Sequence, residues 1–302
     1  METYETRIDP AACIGCGICI PLCPVDALSM EGELAVRSGD CTLGCGHCAA
    51  SCPEDAITVP VIDPDALTLR TVSWDRIWEA PGRRDVSDLV RLMGSRRSCR
   101  NFTAEPVDRA VLEDLVRIGI TAPSGTNSQR WTFTIVPDRA SVERVGEVVS
   151  DFFRRLNRMA GMAPVRLLSR LFDRKDRLGT YYREYFESVE EALRGWDREG
   201  RDRLFHGAPA AILVGAAPGA SCPCEDALLA SQNILLAAHA MGLGTCLIGF
   251  VVEAMRSDRK IARALGIPPG ERIYAVIAVG HSAERYRRAA GRKSVVPRYF
   301  EV

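Results

Sequence analysis

Eight of the twelve cysteines fall into two runs whose spacing suits iron coordination. The first run is Cys13-x2-Cys16-x2-Cys19-x3-Cys23, followed by Pro24. This is the ligand spacing of bacterial [4Fe–4S] sites, in which a short loop supplies three thiolates and the fourth cysteine ligates a neighbouring cluster. A second run must therefore exist, and the chain has one whose first gap is one residue longer: Cys41, Cys45, Cys48 and Cys52, before Pro53.

The two runs form an internal repeat. Two seven-residue segments align residue for residue, 29 positions apart: Cys23-Pro-Val-Asp-Ala-Leu-Ser and Cys52-Pro-Glu-Asp-Ala-Ile-Thr. Residues 7–60 therefore resemble a two-cluster bacterial ferredoxin. The resemblance implies two [4Fe–4S] clusters whose fourth ligands are exchanged between the runs, with Cys13, Cys16, Cys19 and Cys52 at one cluster and Cys41, Cys45, Cys48 and Cys23 at the other.

Zinc and disulfides are the two competing interpretations of these cysteines. Zinc sites usually present two Cys-x2-Cys pairs separated by a longer spacer, which differs from two triplets with crossing fourth ligands. Disulfides would need an oxidising compartment, and the sequence begins without a signal-peptide pattern. The spacing therefore favours iron–sulfur clusters, and we expect a reducing, cytoplasmic location.

Composition sets the limits for the rest of the chain. A length of 302 residues predicts two structural units, and a hydrophobic content of 47% is ample for a buried core. Lysine and arginine (39) balance aspartate and glutamate (39), so net charge gives no reason to expect nucleic acid or a membrane surface as partner. No apolar run is long enough to cross a membrane.

Two polar segments beyond residue 85 suit a phosphate and a planar heterocycle. Ser95-Arg-Arg-Ser-Cys-Arg-Asn-Phe102 follows a helical pattern over 86–93, and clustered arginines hold phosphates by charge-assisted hydrogen bonds. Ala122–Trp131 lies between a predicted helix, 108–120, and a predicted strand, 132–136. Its side-chain amides could read the edge of a heterocycle that offers both donors and acceptors.

Two motifs resemble those of the FMN-dependent nitroreductase family. They are Arg-Arg-Ser-x-Arg-x-Phe at 96–102 and Ala-Pro-Ser-x-x-Asn-x-Gln-x-Trp at 122–131. Three later stretches agree: the predicted buried helix 226–241, the following segment 242–249, similar to a family loop beside the flavin, and the predicted strand 274–281. The family usually has Gln-Pro-Trp where this chain has Arg130 in place of proline. The resemblance implies FMN contacts from Arg96, Arg97, Ser98, Arg100, Pro123, Ser124, Asn127, Gln129, Ile248, Gly249, Arg292 and Lys293.

A dinucleotide-binding unit is not supported. The segment Gly242-Leu-Gly-Thr-Cys-Leu lacks the third glycine of that fingerprint and follows a predicted helix instead of a strand.

We therefore expect an α+β protein with a two-cluster ferredoxin domain at 1–62, a linker at 63–85 and a nitroreductase-like FMN domain at 86–302. Residues 151–205 are predicted to be a helical insertion that could cover the flavin. The resemblance also implies a homodimer with FMN at its interface, in which the tail 297–302 could reach across as a strand.

The predicted function joins the two parts. Low-potential electrons, from a ferredoxin or another redox protein, would pass through the clusters to FMN and reduce a small organic acceptor such as a nitroaromatic, quinone or enone. A nicotinamide could instead donate directly over the flavin. No catalytic side chain is identified. Three alternatives stay open: an FMN-dependent dehydrogenase that exports electrons through the clusters, oxygen-dependent flavin cleavage, and a non-enzymatic electron relay to a protein partner.

Overall fold

The computed structural model describes residues 2–301 and confirms the expected α+β architecture. Its N-terminal part has a small core of Cys19, Leu28, Ala35 and Ile57. One antiparallel pair joins the beginning and end of this part, and a hairpin lies between the two cysteine runs. The elements are β1 (Arg7–Ile8), β2 (Leu28–Glu31), β3 (Leu34–Arg37), α1 (His47–Ser51) and β4 (Ile57–Thr58).

The internal repeat is preserved in three dimensions. The backbone N–H of Ala27 donates to the sulfur of Cys23 at 3.2 Å, and that of Ala56 donates to Cys52 at 3.3 Å. In each run the fourth cysteine thus accepts an amide four residues later. The two fourth cysteines, which the ferredoxin resemblance assigns to different clusters, therefore have equivalent backbone surroundings.

A buried carboxylate fastens the segment after β4 to the second part of the molecule. Asp114 lies in α3 (Arg109–Gly119) and is fully buried. It accepts the backbone N–H groups of Arg70 (2.9 Å) and Thr71 (2.6 Å), the Thr71 hydroxyl (2.7 Å) and an Arg117 N–H (3.1 Å). Burial raises the pKa of this carboxyl, but the hydrogen bonds outweigh it and the net pKa lies below the ordinary value. The stabilisation is therefore present at neutral pH and is lost as pH falls through that depressed pKa.

Asp114→Asn should loosen this attachment. An amide lacks the negative charge and offers one acceptor oxygen, so we expect a loss of roughly 2–3 kcal/mol and amide exchange of Arg70 and Thr71 roughly 30- to 150-fold faster. Native-state hydrogen exchange at neutral pH measures both amides. The matched control is Asp88→Asn, an exposed member of an ion pair with Arg91. Unchanged exchange of the two amides in Asp114→Asn would mean that the carboxylate does not hold the linker.

The second part is built on a four-stranded antiparallel sheet. Its strands are β5 (Trp131–Val136), β6 (Ala210–Ala216), β7 (Gly244–Leu247) and β8 (Arg272–Gly280), which lie in the order β5, β6, β8, β7. The remaining helices are α2 (Val86–Ser95), α4 (Arg139–Gly161), α5 (Ala163–Phe172), α6 (Arg177–Glu184), α7 (Phe186–Glu199), α8 (Pro223–Ala240), α9 (Gly249–Ser257) and α10 (Arg259–Ala264). Strand β6 is buried along its whole length because helices cover both faces of the sheet. Helices α3 and α8 pack on one face, and α4, α7 and α9 pack on the other.

The expected elements of this part are present within a few residues of their predicted bounds, with one difference. The segment 242–249, expected to be a loop, contains β7. It becomes an edge strand because β8 pairs with it on one side and Ser98 bridges Thr245 on the other. The predicted helical character of 151–205 is also observed, in α4 to α7.

The helices and the C-terminal tail bear on the predicted absence of a membrane partner and on the predicted dimer. No helix within residues 2–301 is long and apolar enough to cross a membrane. The described part of the tail, up to residue 301, is exposed and has no strand beyond residue 282, and Val302 lies outside the described residues. The predicted strand exchange of the tail stays a prediction.

Candidate functional site

The eight cysteines of the two runs line two separate cavities. Each cavity takes three cysteines from one run and the fourth from the other, which is the grouping that the ferredoxin resemblance implies. The first cavity is lined by Cys13, Cys16, Cys19 and Cys52, and the second by Cys23, Cys41, Cys45 and Cys48.

These cavities fit a four-iron cluster. Within residues 2–301 no three His, Cys, Asp or Glu side chains converge as they would around a single metal ion. The thiols instead line the cavity walls. This separation suits a cubane, because a cubane needs one ligand at each of four separate corners. The first loop closes only because Gly15 has φ +68 and no side chain: a Cβ would lie 2.0 Å from the Glu33 carbonyl oxygen. Burial raises the pKa of the Cys19 and Cys48 thiols, so iron binding must release their protons.

The arginine segment after α2 offers cations with no carboxylate partner among the described residues. Arg96 is half-buried, whereas Arg97 and Arg100 are exposed. One turn earlier, Arg91 pairs with Asp88 at 2.6 Å. The backbone of Ser98 bridges β7, which fixes the segment beside the sheet edge. The segment can therefore offer its charge to an anionic ligand.

The polar loop before β5 is held in a strained conformation. Three residues of the loop have a positive φ, between 48° and 53°: Thr126, Asn127 and Gln129. Residues other than glycine seldom adopt such a backbone angle. The buried carboxylate of Asp226, at the start of α8, accepts the Gly125 N–H at 2.8 Å and secures the turn. Strain of this kind persists only where the surroundings enforce it, and it is concentrated at functional sites.

Asn127 contacts the cluster domain. Its side-chain amide donates to the carbonyl of Leu43 at 2.9 Å and of Gly44 at 3.3 Å. Both carbonyls lie between Cys41 and Cys45, in the loop of the second cavity. The expected contact of Asn127 with a flavin would therefore have to use its remaining carbonyl oxygen. No local pattern in the sequence predicts this pairing.

Buried polar atoms without a partner mark the same two segments. An unpaired buried polar group costs roughly 1–3 kcal/mol, and a bound polar ligand would supply the missing partners. Thr245 bridges the arginine segment, and the others lie in or next to the polar loop. Among the described residues the atoms are Ser128 Oγ, Trp131 Nε1, Thr132 Oγ1, Asp226 Oδ2 and Thr245 Oγ1.

The arginine segment and the polar loop lie at opposite ends of α8. Asp226 holds the loop at the first turn of this helix, whereas Gly244, just beyond its last turn, lies against Cys99 of the arginine segment. The helix rises about 21 Å between Asp226 and Ala240 at 1.5 Å per residue. One chain therefore does not bring the two segments together.

Arg292 and Lys293 make no hydrogen bond to either segment within the described residues. Both side chains are exposed in the tail, and Arg292 donates to the carbonyls of Ala290 (2.9 Å) and Gly291 (3.1 Å). Their predicted contacts with FMN stay a prediction.

Ile248 and Gly249, two of the predicted FMN contacts, lie next to a residue that contacts the helical insertion. Ile248 is buried and its N–H donates to Val276 at 2.8 Å. The next side chain, Phe250, meets the ring of Tyr185 from the insertion edge-on at 6.0 Å. A cavity of about 220 Å³ lies beside Phe250, between α4 and α7. Its lining is mostly apolar and includes the rings of Phe153, Trp196 and Phe250, together with Ser150, Ser188 and Arg203.

Comparisons with known proteins assign both parts. Residues 93–281 match the nitroreductase family, and residues 12–56 match the 4Fe-4S dicluster domain. The protein is 28% identical to a 5,6-dimethylbenzimidazole synthase of Rhodospirillum rubrum over 68% of this chain and 86% of the relative. It is 28% identical to an NADH dehydrogenase of Thermus thermophilus over 63% and 84%. Its match to an iodotyrosine deiodinase of Daphnia pulex, 29% identical, spans only 29% of either chain.

A solved structure shares the fold. An FMN-dependent nitroreductase from Clostridium difficile R20291 superposes with a TM-score of 0.50 at 21% identity, over 71% of this chain and 100% of that one. The nitroreductase match covers more than half of the present chain. The chain therefore belongs to the nitroreductase family and carries a 4Fe-4S dicluster domain ahead of the family domain.

Proposed function

We propose that the protein is an FMN-dependent oxidoreductase that passes low-potential electrons through two [4Fe–4S] clusters to FMN and on to an organic acceptor. The observation that carries the proposal is the contact of Asn127 with Leu43 and Gly44. It joins the loop of the second cysteine cavity directly to the loop that resembles a flavin-binding segment. A domain attached only for stability would not need this contact at a cluster loop.

The residues suit FMN as the second cofactor. The arginines at 96, 97 and 100 lack carboxylate partners among the described residues and would hold a terminal phosphate. Thr245 Oγ1 beside them, and the unpaired atoms around the polar loop, would bind the ribityl chain or the ring edge. No adenine-binding motif accompanies them in the sequence. The solved relative with the same fold is described as FMN-dependent.

When bound, the clusters transfer single electrons, and a flavin collects two and delivers them as a hydride equivalent. In each turnover two one-electron donors of the ferredoxin class are oxidised, and the acceptor receives two electrons and two protons, the protons coming from water. The chain's own residues position the phosphate, present the Ile248–Gly249 backbone to the ring and exclude water with the insertion. The aromatic cavity beside Phe250 suits a planar acceptor such as a nitroaromatic, quinone or enone.

A homodimer would complete the flavin site. Because the two predicted FMN-binding segments of one chain are separated along α8, one flavin would contact the arginine segment of one protomer and the polar loop of its partner. Exposed apolar side chains along α2 and α8 give the second copy a surface to cover. They are Val86, Leu89, Val90, Met93, Leu228 and Leu229.

Cofactor content is the first test. Protein purified without oxygen should contain about eight irons and eight acid-labile sulfides per chain, as two cubanes require, together with FMN. Iron and sulfide assays and chromatography of the extracted flavin measure these quantities. Bound zinc without labile sulfide would overturn the cluster assignment, and stoichiometric FAD would overturn the flavin assignment.

Acceptor screening tests the activity itself. Chemically reduced protein is mixed anaerobically with nitroaromatics, quinones, enones and oxidised ferredoxin, and reoxidation of the flavin is followed. We expect rapid reoxidation by at least one class of small organic acceptor. Reoxidation by ferredoxin alone would instead favour a relay or an electron-exporting dehydrogenase.

A further inference from the structure

We infer that the second cluster is the electron exit and that it serves a flavin whose phosphate is held by the partner protomer, so that electrons cross the dimer interface in every turnover. The inference rests on the proposed function, because it specifies the route between cofactors that the proposed function requires.

The first observation is that the two cavities differ in their surroundings. The loop of the first cavity is open to solvent: Cys16 is exposed, and Ile14 and Ile18 are 64% and 47% exposed. The loop of the second cavity is covered by the polar loop, through the hydrogen bonds of Asn127 to Leu43 and Gly44. A donor protein can thus approach the first cavity, and the second is the one in contact with the nitroreductase domain.

The second observation is that two departures from the usual sequence patterns meet at this contact. The second cysteine run has one extra residue in its first gap, Cys41-x3-Cys45, and the accepting carbonyls lie in that gap. Arg130 replaces the proline that usually closes the flavin motif. Its guanidinium pairs with Glu2 of the cluster domain at 3.1 Å and donates to the Pro218 carbonyl at 3.2 Å. Both changes therefore serve the docking of the second cluster loop on the polar loop.

The third observation is the separation along α8. The polar loop, and with it the second cluster loop, lies at the start of this helix, and the arginine segment lies beyond its end. Electron tunnelling falls steeply with distance, so the second cluster can reduce only a flavin that touches the polar loop of its own chain. In the shared site of the dimer, the phosphate of that flavin is bound by Arg96 of the other protomer.

Heterodimers with defined variants test this route. One chain carries Cys48→Ser, which disables the second cluster, and the other carries Arg96→Ala, which weakens phosphate binding. Two different affinity tags allow the mixed dimer to be isolated. If electrons cross the interface, one flavin site of this dimer has both an intact Arg96 and an intact second cluster. If they stay within a chain, neither site does.

In the matched control dimer, a wild-type chain is paired with a chain that carries both substitutions. The two routes then predict the opposite ranking of activities. A route across the interface leaves this dimer without a working site, whereas a route within one chain leaves the wild-type half fully active. Flavin content and iron content of each dimer, measured beforehand, show that the chains are folded and loaded as intended.

The readout is bleaching of bound flavin by a reduced bacterial ferredoxin in an anaerobic stopped-flow instrument. We expect the dimer of single variants to bleach its flavin at nearly the wild-type rate per bound flavin, and the control dimer to bleach at least about tenfold more slowly. The opposite ranking would overturn the inference while leaving the proposed function intact. A wild-type homodimer whose flavin ferredoxin cannot reduce would instead contradict the proposed function.

Discussion

Cys13→Ser and Cys48→Ser should each slow flavin reduction by reduced ferredoxin by at least about a hundredfold, although the two residues line different cavities. The physical reason is that the clusters act in series, so disabling either one interrupts the only short route to the flavin. Flavin content should be unchanged, because every residue that we assign to FMN lies beyond residue 95. Anaerobic stopped-flow absorbance measures the rate, and iron analysis verifies the loss of the cluster.

Cys224→Ser is the matched control for these variants. Cys224 is an exposed free thiol in α8 that lines neither cysteine cavity. Its replacement should leave both the iron content and the rate of flavin reduction at wild-type values. If Cys13→Ser lost iron and still reduced its flavin at the wild-type rate, the first cluster would not lie on the route.

Arg96→Ala should lower the affinity for FMN while leaving both clusters in place. A lost charge-assisted contact to phosphate costs roughly 1.5–3 kcal/mol, which corresponds to a roughly 10- to 150-fold higher Kd. Titration of the flavin-free protein with FMN, followed by flavin fluorescence, measures Kd. Because the contact is electrostatic, the difference from wild type should also shrink as ionic strength rises.

Arg91→Ala provides the comparison for Arg96→Ala. Arg91 lies in α2, the helix that ends just before Arg96. It is exposed and pairs with Asp88, so its replacement should change the Kd for FMN little. Simultaneous loss of FMN and iron in Arg96→Ala would instead show that Arg96 stabilises the fold and does not act on the phosphate.

Local patterns predicted much of this molecule. The cysteine spacing indicates a dicluster domain because the ligands of one cluster lie mostly within a few residues of one another. The helices and strands of the second part follow from local apolar patterns, as in the helix predicted over 108–120, which forms as α3. The motifs around Arg96 and Asn127 indicated the family, which the comparison confirms.

The remaining features depend on contacts between distant residues. Asn127 and Leu43 are 84 positions apart, and Asp114 binds Arg70 across 44 positions, so no local pattern predicts either contact. Strand β7 forms because Ser98 and β8 pair with it from both sides. The unpaired Thr245 hydroxyl is informative only once the fold buries it. The extra residue before Cys45 and the arginine at position 130 are visible departures in the sequence, but only the fold shows that both lie where the two parts of the molecule meet.

The order in which the cofactors are reduced tests the central claim most directly. Wild-type protein is mixed anaerobically with reduced ferredoxin, and samples are frozen at successive times for electron paramagnetic resonance while flavin absorbance is followed in parallel. We predict that the signal of reduced clusters appears first and that flavin bleaching follows after a lag. Flavin bleaching without a lag, before any cluster signal, would show that electrons reach the flavin without passing through the clusters.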